Sequence, residues 1–221
     1  MDFYSTLVRF FQDGGAFMYP IGIVLVCGLA IAVERWIFLS LAKNDNRKAF
    51  DQLMPLLRKR DLSSVLKLSN NSTAPMARII GSGIARMAHS QRRDDIEYAM
   101  EEGVMEALPR LEKRTQYLAT LANIATLLGL LGTIIGLIAA FTAVANADPA
   151  EKASLLSQSI SVAMNTTAFG LISAIPLLML HALLQTKTTE IVDSLEMAGV
   201  KVLNMLSDKA LNAKTRASDS Q

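Results

Sequence analysis

The chain has 221 residues, 51% of them hydrophobic and 19% charged, with a formal net charge of +2 and a single cysteine. So small a net charge gives no basis for a nucleic-acid partner, and one cysteine excludes an intrachain disulfide or a cysteine-built metal centre. Three long uncharged stretches point instead to a membrane.

Residues 1–16 carry Phe3, Tyr4, Phe10 and Phe11 among Asp2, Arg9 and Asp13, the pattern of a short amphipathic helix lying at an outer interface. Gly14 and Gly15 would end it. The run that follows lacks the cationic start and small-residue cleavage pattern of a signal peptide, so it is expected to stay on the protein. The first span is placed at 17–41. Glu34, Arg35 and Trp36 fall toward one of its edges, where charged ends snorkel and indoles anchor, so Glu34 and Arg35 are read as interfacial contacts. Cys27 lies in this span as a small packing residue.

Residues 42–117 form a loop with helical periodicity, seen at Phe50, Leu53, Leu56 and Leu57. The Asn70–Thr73 cluster reads as a turn and N-cap for a helix from about Pro75 to His89. A further helix is expected from Asp94 and Asp95, whose carboxylates suit a helix N-terminus. Ile96, Met100, Val104, Ala107, Leu108 and Leu111 recur in it at helical spacing. Pro109 bends it without ending it, so that "RLEKRTQYL" runs straight into the second span as one long helix.

The second span, 118–144, reads "LANIATLLGLLGTIIGLIAAFTAVA" in its centre and holds no Asp, Glu, Lys or Arg. A short connection over 145–159 leads to the third span, 160–184, also free of these four residue types. Its 25 residues make a helix of about 37 Å, enough for a bilayer core of about 30 Å. Residues 185–221 continue as a helix with an apolar stripe at Ile191, Leu195, Ala198, Val202 and Met205, then fray. Of 22 Lys and Arg, 14 lie between Ala42 and Tyr117 and 5 after Leu184. The positive-inside rule then places the N-terminus outside and the long loop and tail in the cytoplasm. The predicted architecture is an all-α membrane protein of three transmembrane helices with long helical cytoplasmic extensions.

Inside the spans the polar and small residues are the candidates. Thr126 and Thr133 are seven residues apart and share a helical face to within about 20°. In the third span Ala163, Thr167, Gly170 and Ala174 form a narrow face of small residues, with Asn165 and Thr166 beside it. Such strips also serve plain helix packing, as Gly132-x-x-x-Gly136 does, and a threonine can bond to its own helix. Pro176 is a kink or a shaper of the third helix. His181 reads as an interfacial or packed residue. Apart from that histidine, the second and third spans hold no ionisable residue, so a titrating group for ion movement must come from another chain. No nucleophile–base pair, metal-ligand set or phosphate loop is present, which argues against an enzyme.

Together "ERWIFL", "LATLANIATLLGLLGTIIGLIAAF" and "SISVAMNTTAFGLISAIPLL" resemble the MotA/TolQ/ExbB family of ion-channel subunits, nearest its ExbB/TolQ branch. The resemblance covers the three spans, their order and the size of the loop. It implies a bacterial inner-membrane ring, a pentamer, around a single-span partner of the ExbD, TolR or MotB kind that supplies a pore aspartate. It also implies a TonB- or TolA-like protein as recipient of the work. There would be no cofactor beyond the transported proton or sodium ion, and no nucleic acid. The family's pore threonines fall on Thr133 and Thr167, with Thr166, Asn165 and Thr126 along the same path and Pro176, Gly170 and Gly136 shaping it. Where ExbB-type sequences commonly carry a glutamate five residues before the second threonine, this chain has Val162. The additional Thr166 is reminiscent of sodium-driven stators; a proton is favoured and sodium stays open. A passive oligomeric scaffold and a MotA-like stator are the alternatives.

Overall fold

The structure, a computed structural model, describes the backbone of residues 14–90 and 92–218, with side chains up to residue 206. The interfacial helix expected over residues 1–16 therefore lies outside the described residues except for its last three. Among the described residues six helices follow in order: α1 (Met18–Lys59), α2 (Leu62–Asn71), α3 (Pro75–Met87), α4 (Arg93–Glu112), α5 (Thr115–Ala145) and α6 (Lys152–Ser218). No strand occurs among the described residues. Three helical stretches, within Met18–Lys59, Arg93–Ala145 and Lys152–Leu206, are long and apolar enough to cross a membrane. The predicted all-helical, three-span class is what the chain adopts.

By contacts the chain divides into two compact units. One takes the residues up to Arg35 together with Arg114–Leu184; the other takes Trp36–Lys113 and the chain from Gln185. The first is the apolar one. Gly15 opens it with a φ of +73°, a left-handed conformation that glycine adopts without a Cβ penalty, and Met18 N–H then donates to Gly15 O to start α1. Ile21, Leu118, Ala122, Leu177 and Leu184 are fully buried within this unit, while Ile23, Val26, Leu127, Ile138, Phe141 and Ile175 are exposed on its outside. An apolar exterior of this kind suits lipid, since no water has to be kept from it.

The second unit has an ordinary apolar core. On α1, Ala49, Leu53 and Leu57 repeat every four residues and are buried; on α6 the expected stripe is buried at Ile191, Leu195, Ala198 and Val202 and half-buried at its last member, Met205. Helix α2 starts at Asp61, whose carboxylate accepts from Ser64 N–H at 3.1 Å and from Ser63 Oγ at 2.9 Å. The Ser64 bonds chiefly hold that carboxyl below the usual carboxylate range. The turn before α3 falls at Ser72–Ala74, and Ala74 is an N-cap without a capping side chain. The Asn70–Thr73 cluster is thus not the cap that its composition suggests. Asn46, thirty residues earlier on α1, takes that role: its Oδ1 accepts from Met76 N–H at 3.1 Å in a buried setting. Replacing Asn46 by Ala is expected to remove about 1–2 kcal/mol from this unit, because a buried helix-start N–H loses its acceptor. Amide exchange at Met76 should accelerate while α5 stays protected; unchanged protection would refute the cap.

A second difference concerns α4 and α5. The single long helix expected through "RLEKRTQYL" is interrupted at Lys113 and Arg114, and Arg114 takes a φ of 68°. The helix passes through Pro109 and stops four residues later, so the proline does not set the break. Helix α1, by contrast, continues without interruption from the apolar run into the charged region. Trp36 on it sits under the Lys187 ammonium, 3.3 Å from the ring centroid, and Lys43 pairs with Glu190 at 2.8 Å.

Candidate functional site

The apolar unit is organised by glycine. A Cβ placed on Gly170 would lie 2.8 Å from Ala125 O and 3.0 Å from Gly129 Cα; one on Gly129 would lie 3.3 Å from Gly170 Cα. The backbones of α5 and α6 therefore touch at this pair. Farther along, Gly136 faces Ala163, whose Cβ would be 3.0 Å from an added methyl, and Gly132 receives the Thr166 methyl. Small residues on both helices permit this approach, and dispersion contacts along it replace the hydrophobic drive that lipid does not supply.

That approach brings two hydroxyls together. Thr133 lies one turn beyond Gly129 on α5, and Thr167 three residues before Gly170 on α6. Their Oγ1 atoms are in direct hydrogen-bond contact. Thr133 Oγ1 also reaches Gly129 O at 3.2 Å and Ala163 O at 3.3 Å, and Thr167 Oγ1 reaches Gly129 O at 3.0 Å. Each hydroxyl has one proton and two lone pairs. Two proton arrangements satisfy the set: Thr133 donates to Thr167, which donates to Gly129 O, or Thr167 donates to Thr133, which donates to Ala163 O. They differ only by rotation of two C–O bonds and run in opposite directions. Both residues are half-buried, so another chain can reach them.

The other expected residues are placed differently. Thr166 is 2% exposed, and its Oγ1 lies 2.8 Å from Gly14 O and 2.9 Å from Val162 O. It ties the lead-in of α1 to α6. Val162, at the position where the resemblance leads one to look for glutamate, packs its Cγ1 3.1 Å from where a Gly15 Cβ would be. Thr126 is exposed and donates to Ala122 O of its own helix at 3.1 Å, so it does not join the pair. Asn165 is half-buried on α6. Pro176 is exposed and α6 runs through it without interruption. Glu34 pairs with Arg114 at 3.5 Å, both about half exposed, whereas Arg35 is 3% exposed. Two features were outside the reach of sequence reasoning: the Gly14 carbonyl as partner of Thr166, and Ser173, which is fully buried with an Oγ that has no hydrogen-bond partner. For the helix crossing a signal did exist, in the glycines at 129, 132 and 136 taken together with Gly170.

Comparison with known proteins gives the family. The chain is 26% identical over 199 residues to a biopolymer transport protein ExbB homolog of Methanothermobacter thermautotrophicus, covering 89% of this chain and 69% of that one. It is 28% identical over 167 residues to a biopolymer transport protein, ExbB-like 3, of Synechocystis, covering 75% and 79%. A shorter match, 33% over 93 residues, covers 42% of this chain and 40% of the Tol-Pal system protein TolQ of Haemophilus influenzae. The model of the MotA/TolQ/ExbB proton channel family matches residues 71–197, a stretch that contains α3, α4, α5 and the hydroxyl pair. A multi-pass membrane protein with three apolar helices and a glycine-built α5–α6 crossing, this chain belongs to the MotA/TolQ/ExbB proton channel family.

Proposed function

We propose that the chain is the ring-forming subunit of an inner-membrane motor, in which protons pass the Thr133–Thr167 pair and drive a single-span partner that energises outer-membrane transport or envelope upkeep. Members of the family are channel subunits, not enzymes, and the general role of a proton-channel energising subunit comes with membership. The observation that carries the finer reading is the hydroxyl pair itself: two half-exposed hydroxyls meet inside spans that hold no carboxylate. A relay without its own titrating group needs one from elsewhere, which a partner's intramembrane aspartate supplies. Exposed apolar side chains on α1, α5 and α6 support a ring, whose copies would cover part of that surface and turn the hydroxyls inward. The pentamer, and the orientation with N-terminus out and C-terminus in, complete the proposal.

A proton is favoured over sodium because Thr166, the additional hydroxyl, is turned to the Gly14 and Val162 carbonyls and buried. A dehydrated sodium ion needs several oxygen ligands around one point. Asn165 and Thr126 remain on the proposed path as flanking polar groups, with Gly136, Gly170 and Pro176 shaping it. Co-purified with its single-span partner and placed in liposomes, the chain is expected to take up protons under an imposed gradient and to leave sodium behind. Uptake that requires sodium would overturn the ion assignment. Transport that persists when the partner's intramembrane carboxylate is replaced by its amide would overturn the relay, and native mass spectrometry giving a monomer or dimer would end the ring model.

A further inference from the structure

In the second unit α4 and α6 carry exposed large apolar residues, among them Met105, 69% exposed, and Val200. These two border a groove of about 400 Å³, floored by the buried Ile79 and Met100 and walled by Val104 and Leu203. Glu97, Glu101 and Glu196 also line it. No hydrogen bond or ion pair joins these three carboxylates to another described residue, whereas Glu34, Glu190 and Asp94 each have a basic partner. Glu97 and Glu101 stand one turn apart on α4, a like-charge spacing that costs a helix a few tenths of a kcal/mol. Both lie beyond the first turn, where the helix dipole would compensate a carboxylate.

An apolar groove with flexible methionines and unpaired carboxylates at its edge is complementary to an amphipathic helix bearing cations beside its apolar stripe. The length fits about two to three turns: Glu97 to Met105 spans about 12 Å of helix. Pairing this face with the same face of a second copy would set carboxylates against carboxylates; a ring neighbour meeting it through another face is the alternative that the crosslink below decides. We propose that this face is the docking site for a short cationic amphipathic helix on the cytoplasmic flank of the single-span partner. The proposal rests on the motor reading above, and the positive-inside rule gives such a flank its lysines and arginines.

The probe is a fluorescein-labelled 14-residue peptide of leucine and lysine, with leucines at i, i+3, i+4 and i+7, titrated onto the full chain in nanodiscs of neutral phosphatidylcholine. Saturable binding is expected. It should weaken by about tenfold or more in the Glu97→Gln/Glu101→Gln/Glu196→Gln variant and again in Val200→Lys, which changes an exposed wall position and leaves the core alone. A peptide of the same composition without the apolar stripe should bind at least about tenfold more weakly. Affinity undiminished from the unmutated chain in both variants, or equal for both peptides, would overturn the site. In cells, a photoreactive benzoylphenylalanine at Val200 should crosslink to a short single-span protein. An adduct with the mass of two copies of this chain, or no adduct, would overturn the occupant. Peptide binding is read without an ion gradient, so it can fail while proton uptake stands, and the reverse.

Discussion

Thr133→Val and Thr167→Val, made together, are expected to leave the oligomer and its partner complex assembled while ion-driven work falls by about a hundredfold or more. Valine keeps the volume and branching of threonine, so the glycine crossing beside it can still close. The carbonyls of Gly129 and Ala163 lie within continuous helices and keep their backbone donors, so losing the hydroxyls strands no buried acceptor. The structural cost is that of an interhelical hydrogen bond in a membrane, about 1 kcal/mol. The functional cost is larger because a relay needs every member. A charge developing at low dielectric loses about 2.7–4 kcal/mol, or 10²–10³ in rate, when one preorganised donor is removed. Assembly is read by size-exclusion chromatography and output by gradient-driven uptake. Ser173→Ala, on a buried hydroxyl without a partner among the described residues, serves as the control with near-normal output, and Thr126→Val, on an exposed flanking hydroxyl bonded within its own helix, should lose less than either member of the pair. Normal uptake in the double variant would remove the pair from the path.

Gly170→Ala is expected to do the converse, failing in assembly with every hydroxyl retained. Its Cβ would meet Ala125 O at 2.8 Å and Gly129 Cα at 3.0 Å, and both obstacles are backbone, which cannot rotate aside. The two helices must separate by some tenths of an ångström, at a cost of about 1–3 kcal/mol, and Gly170→Val should exceed it. The thermal midpoint of the detergent-solubilised oligomer should drop, and uptake should fall with it because the Thr133–Thr167 contact depends on this approach. Gly28→Ala is the informative comparison. There the nearest atoms are the Cδ methyls of Leu177, at 2.5 and 2.8 Å, the far end of a side chain that can change rotamer. It should be the milder of the two; a Gly170→Ala variant as stable as Gly28→Ala would show that α5 and α6 do not touch backbone to backbone.

How far these features could be seen in the sequence depends on whether their cause is local. Uncharged runs of membrane length are local, and so are the buried stripe on the tail and the carboxylates that open α4; all of these could be read. Asn46 could not be seen as the cap of α3, because its partner is thirty residues away and the Asn70–Thr73 composition offered a nearer answer. The break at Arg114 has no glycine beside it and lies five residues past Pro109, which the helix passes through as expected, so no local breaker marks it. A left-handed arginine is imposed by the folded surroundings. Residue type and spacing alone leave Thr126, Thr133, Thr166 and Thr167 as four equal hydroxyls, and it was the family resemblance that picked out Thr133 and Thr167. The crossing at Gly129 and Gly170 supplies the physical reason: it brings those two together and leaves one of the others bonded to its own helix and one to Gly14.

Thr166 shows what that last bond demands of a single side chain. Its hydroxyl faces Gly14 O while its methyl fills the notch at Gly132, with Cγ2 2.4 Å from where a Cβ would sit. The two groups leave one tetrahedral carbon in different directions, so the handedness of that carbon is part of the fit. Serine would keep the bond and leave the notch hollow; valine would fill the notch and release the lead-in of the first helix; isoleucine would bring one carbon too many. Threonine answers both neighbours at once, so a replacement at this position gives up one of the two contacts unless position 132 or the chain before α1 changes with it.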